Sequence, residues 1–74
     1  MLDNLVFFSQ FSTRQHEVLL CVLAGDTNLE IAAYLELPES SVRRYVRQLK
    51  KIAGVQAREE VRSHWAERMF SQAA

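Results

Sequence analysis

Five cations, Arg43, Arg44, Arg47, Lys50 and Lys51, fall within residues 43–51, and no acid interrupts them. At the period of an α-helix they gather with Ser40 on one face. Val42, Val46, Leu49 and Ala53 gather on the opposite face, with Tyr45 and Ile52 at its margins. The chemistry such a face can do is electrostatic and directional. Lysines neutralise phosphates, and a guanidinium can bond two acceptors on a guanine edge at once. A helix from Pro38 to Gly54 would be roughly 24 Å long, the size and sign of an object that fits a DNA major groove. On charge alone, a solvated helix face explains the pattern equally well.

The other residue types that could carry chemistry are scattered. His16 and His64 fall on different predicted helices, Cys21 is near neither in sequence, and no glycine-rich phosphate loop or metal-ligand spacing is present. No catalytic, cofactor or metal role is therefore assigned. His16 decorates its helix. Cys21, the single cysteine, reads as an inert buried thiol inside an apolar run. Glu17, three residues from Arg14, is expected to pair with it or with a backbone group.

A net charge of zero conceals a partition along the chain. Residues 1–42 carry Arg14 against Asp3, Glu17, Asp26, Glu30, Glu36 and Glu39. The basic stretch follows. Beyond it, Arg58, Arg62 and Arg68 offset Glu59, Glu60 and Glu67. A neutral protein built this way can hold a polyanion locally while its acidic parts suppress indiscriminate adhesion. At 74 residues, 49% of them hydrophobic, the chain makes one small domain, and helices on a modest core are the economical way to build it. No stretch approaches the ~18 apolar residues of a membrane span, and Leu5-Val6-Phe7-Phe8 is too short and lacks the basic flank of a signal peptide. A cytoplasmic protein is expected.

The elements that must hold the basic face in place follow from capping chemistry. Residues 1–11 form an apolar segment, with Leu2, Leu5, Val6, Phe7, Phe8 and Phe11, that is expected to pack down. Ser12 and Gln15 have capping-box spacing, with Phe11 as a possible hydrophobic staple. The first helix runs to Ala24 through Val18, Leu19, Val22 and Leu23, and Gly25 ends it in the left-handed conformation. Thr27 and Glu30 form a second capping box for a helix from Asn28 to about Leu35, with Ile31, Ala32 and Leu35 inward. Ala32 and Ala33 are small enough for close approach of another helix. Glu36-Leu37-Pro38 makes the turn, Leu37 plugs the core, and Pro38 opens the third helix in its first turn. Gly54 closes that helix, and a fourth runs from about Ala57 to Phe70. The expected architecture is all-α: a three-helix core over residues 12–55 and a C-terminal helix within 56–74.

Phe11-Ser12-Thr13-Arg14-Gln15-His16-Glu17-Val18-Leu19, then Gly25, Asn28-Leu29-Glu30-Ile31-Ala32, Leu35, Val42 and Gly54-Val55 occur in one register. Together they resemble the LuxR-type helix-turn-helix domain, the DNA-binding end of LuxR, FixJ and GerE-like regulators, over roughly Phe11 to Trp65. The resemblance implies four helices, the third (about Glu39 to Ala53) in the major groove of double-stranded DNA, a fourth that dimerises, and a role in transcription regulation. By position it puts base reading on Arg43, Arg44 and Arg47, and phosphate contacts on Ser41, Tyr45, Lys50 and Lys51. The chain departs from the pattern at four places. Pro38 stands where a Ser or Thr usually caps the recognition helix, Ala53 replaces a leucine, Leu20 replaces a polar residue, and Arg62 replaces a fourth-helix hydrophobe. With no room for a receiver or ligand-binding domain, the chain reads as a stand-alone regulator or a fragment of a longer one.

Val61, Trp65 and Met69 recur every four residues along the fourth helix, a stripe longer than the three-helix core can cover. The expectation is a homodimer interface there, set on an inverted repeat with half-sites about 10 base pairs apart. Phe7 and Phe8 are the alternative cover. A second functional reading is an interaction module that binds another regulator or RNA polymerase through Leu20, the Phe-rich start or the fourth helix, with weak DNA binding.

Overall fold

A computed structural model describes residues 10–73, with side chains to Glu67. It contains α1 (Thr13–Leu23), α2 (Asn28–Leu35), α3 (Glu39–Ala53) and α4 (Arg58–Ala73), and no strand among the described residues. The apolar segment of residues 1–9, with Phe7 and Phe8, lies outside the described residues.

Three of the four helices begin where backbone N–H groups find a side-chain acceptor. Ser12 Oγ accepts from the Gln15 N–H while Gln15 Oε1 accepts from the Ser12 N–H, and Thr27 and Glu30 reciprocate in the same way. Half of the device recurs at α4, where the Ala57 N–H donates to Glu60 Oε1 at 2.9 Å. Caps of this kind typically contribute ~1 kcal/mol each. α3 is the exception. Pro38 is its N-cap rather than a residue of its first turn, with φ −63° and ψ 146°, and gives no side-chain cap. The Pro38 carbonyl accepts from the N–H groups of Ser41 and Val42.

Three helices end alike. The N–H groups of Asp26, Leu37 and Val55 reach back to the carbonyls of Cys21, Ala32 and Lys50, and those of Gly25, Glu36 and Gly54 to Val22, Ala33 and Lys51. That double bond is the Schellman arrangement and requires a left-handed residue at the turn. Gly25 (φ 91°) and Gly54 (φ 72°) meet the requirement at no steric cost; Glu36 (φ 56°) meets it with a Cβ in place.

The core draws on all four helices. Val18, Leu19 and Val22 of α1, Ile31 of α2, Val42 and Leu49 of α3, and Val61 and Trp65 of α4 are fully buried, and Leu23, Leu35, Leu37, Tyr45, Ala53 and Val55 pack around them. Burial of each large side chain contributes ~1.5–3 kcal/mol. Of the two small residues expected at the helix crossing, only Ala32 is buried; Ala33 faces solvent. α3 touches α1, α2 and α4, so its apolar face is consumed by packing and its other face is free.

The assignment of Val61 and Trp65 to a dimer interface is corrected by their burial. Their exposures are 0% and 1%. Phe11 stands against Trp65 in an edge-on ring contact, with centroids 5.2 Å apart. Both residues therefore spend their apolar surface inside the monomer and have none to offer a second chain. Trp65 is bulky enough to reach across to Phe11, which the helical period alone does not reveal. Met69, the third member of the stripe, lies outside the residues whose side chains are described.

Candidate nucleic-acid interface

The turn Glu36-Leu37-Pro38 sets α3 against α2 as the second helix of a helix-turn-helix. Packing of Val42, Val46 and Leu49 into the core then fixes which residues face out. Arg43, Arg44, Arg47, Lys51 and Ser40 are all exposed, spread over roughly a third of the helix circumference. Lys50 is half-buried at one edge of this face, and Ser41 and Tyr45 are half-buried at the other. The sequence-assigned residues thus lie on one continuous side of one helix, with Tyr45 shared between that side and the core.

None of the five α3 cations forms an ion pair with a described carboxylate; the pair present among the described residues is Arg14–Glu17 on α1, at 3.3 Å. The Arg44 guanidinium lies 5.5 Å from the centre of the Tyr45 ring, a cation–π contact that limits where its head can point. Lys50 and Lys51 occupy the last turn, where the helix dipole favours positive charge, and Glu39 occupies the first, where it favours negative charge. The positive potential is therefore concentrated in the middle and C-terminal part of α3.

Two polar ties that position the helices are missed by the reading of the sequence. Gln15 Nε2 donates to Gln48 Oε1 at 3.0 Å, joining the capped start of α1 to the flank of α3. The partners are 33 residues apart, and no local spacing couples them. Arg58 donates from Nε to Asn28 Oδ1 at 3.2 Å and from Nη2 to the Asp26 carbonyl, fastening the start of α4 to the α1–α2 corner. A signal for this one existed. An arginine in the first turn of a helix opposes the dipole, so its presence there calls for acceptors from elsewhere.

Cys21 is buried, and its thiol pKa is raised above 9.0, first by burial and then by the charges of Asp26 and Glu17. It stays protonated near neutral pH and is a poor nucleophile. No helix among the described residues is long and apolar enough to cross a membrane.

No curated protein and no solved structure matches the chain. The GerE family, described as bacterial regulatory proteins, luxR family, matches residues 9–64, a span that takes in α1, α2, α3 and the start of α4 as far as His64. Since that match covers most of the chain, and the folded helices fall in the order the family's helix-turn-helix demands, the protein belongs to the LuxR family of bacterial regulatory proteins.

Proposed function

We propose that this member of a DNA-binding regulator family reads specific sequences by laying α3 in the major groove and thereby regulates transcription in the cytoplasm. The observation that carries the reading is the open face of α3, where Arg43, Arg44, Arg47 and Lys51 are exposed and without carboxylate partners among the described residues. Cations left unpaired on a rigid helix lose little on meeting phosphates and release condensed counterions when they do. Arg43, Arg44 and Arg47 are assigned to base edges, and Ser41, Tyr45, Lys50 and Lys51 to the phosphate backbone. Ser41, Tyr45 and Lys50 sit at the edges of the face, where the groove walls would pass.

Binding as a pair on an inverted repeat remains part of the proposal, on the strength of the family likeness. Among residues with described side chains, the exposed positions of α4 are Glu59, Glu60, Arg62, Ser63 and Glu67. A two-fold contact there would be polar, with Arg62 facing Glu59 of the second copy. Exposed pairs of this kind contribute little energy, so pairing would depend on DNA.

Mobility-shift titration against genomic fragments at several salt concentrations tests the function. Five cations per chain, doubled on an inverted repeat, should give a slope of log affinity against log salt steeper than about −4. A nearly flat slope, or no retained fragment, would sink the reading.

A further inference from the structure

We propose that the groove between α1 and α2 is a docking site for a basic amphipathic segment of a partner protein, one that inserts a bulky apolar side chain between Leu20 and Tyr34 and sets lysines or arginines beside Glu17 and Asp26. The groove has a volume of about 350 Å³ and is walled by Leu20 and Cys21 on one side and Tyr34 and Leu35 on the other. Leu20 is 43% exposed and Tyr34 77% exposed, large apolar groups held in water beside a ready concavity.

Charge decides among the possible occupants. Glu17 and Asp26 line the groove, and both act on the thiol of Cys21, another lining residue, in the sense expected of a negative field. Arg14 takes one oxygen of Glu17, in a half-exposed pair too weak to cancel it, and Arg58 holds the backbone carbonyl of Asp26 rather than its carboxylate. Nucleic acid and anionic lipid would be repelled from such a surface, whereas a cationic, apolar peptide matches it in both respects. No groove residue comes from α3 or α4. The site and the cationic face can therefore be occupied together, and this proposal stands or falls separately from the DNA reading.

The test is titration of the full chain with a Leu/Lys amphipathic helical peptide, followed by backbone amide shifts, with a shuffled peptide of the same composition as control. Saturable shifts confined to α1 and α2 around Leu20, Cys21 and Tyr34 are expected. Leu20→Ser, Tyr34→Ser and Asp26→Lys should each weaken the peptide by about tenfold while circular dichroism and DNA retention stay as in the parent chain. Leu20 and Tyr34 are exposed, and Asp26 makes its structural bonds through backbone, so these variants should fold; Asp26→Lys serves as the probe should an α1 or α2 variant lose helicity. Equal binding of the shuffled peptide, shifts mapping elsewhere, or variants that bind as well as the parent would overturn the proposal. So would self-association of the chain abolished by Leu20→Ser, since the occupant would then be a second copy.

Discussion

Trp65 and Phe11 meet edge to face, with ring centroids 5.2 Å apart and planes at 77°, so the residue just before the α1 N-cap and the middle of α4 close one core. His64 adds a second edge contact to the same indole at 5.1 Å. α4 is therefore part of the monomer's stability. Phe11→Ala and Trp65→Ala should each cost about 3–5 kcal/mol, a large share of the roughly 4–11 kcal/mol available to a domain of this size. Thermal denaturation by circular dichroism checks this. A Trp65→Ala chain that melts like the parent would show that the indole is not a core residue.

Base reading and phosphate contact should separate by residue type on α3. Arg43→Ala, Arg44→Ala and Arg47→Ala should each cost about 1–3 kcal/mol of binding and relax preference at particular base pairs. Lys50→Ala and Lys51→Ala should weaken every sequence alike and flatten the salt slope by about one. Selection of binding sites from a random pool, run on each variant, distinguishes the two. Lysine variants that shift the selected sequence while arginine variants do not would reverse the assignment.

Glu36 holds a left-handed conformation with a side chain attached. That conformation costs a non-glycine residue roughly 1–2 kcal/mol, while glycine brings an unfolded-state penalty of about 0.5–1 kcal/mol. Glu36→Gly should thus stabilise the fold by about 0.5–1 kcal/mol and raise Tm by a few degrees. Gly54→Ala should do the opposite by a similar amount. An added Cβ there meets nothing within 4 Å, so the loss would come from backbone strain alone. A lowered Tm for Glu36→Gly would mean that the side chain contributes something the turn geometry does not explain.

The α2 cap should weaken in acid. The backbone N–H of Thr27 and then its hydroxyl hold the Glu30 carboxyl below its ordinary value of 4.5. A depressed folded-state pKa means that the stabilisation is fully present above the unfolded value and is lost as pH falls through the folded one. Amide exchange at the start of α2 should therefore quicken on acidification below 4.5, relative to α3. Glu30→Gln, which cannot titrate, should remove that local pH dependence. Unchanged acid sensitivity in the Gln variant would place the titrating group elsewhere.

Local chemistry in the sequence determined most of the fold. Ser12 with Gln15 and Thr27 with Glu30 announce helix starts because a free N–H needs an acceptor three residues away, and Gly25 and Gly54 announce stops because the left-handed turn favours them. The face of α3 was legible for the same reason: a 3.6-residue period separates Val42, Val46 and Leu49 from the cations without reference to any other helix. Tertiary structure alone decided how α4 is used. Periodicity marks Val61 and Trp65 as a stripe but is silent on what covers it, and the answer lies with Phe11, 54 residues before Trp65 in the chain. The Gln15–Gln48 bond, the hold of Arg58 on the α1–α2 corner, and the acidic groove between Leu20 and Tyr34 share that origin. Each joins residues that meet only after the helices have packed, and a spacing rule that operates within one helix cannot encode contacts between two.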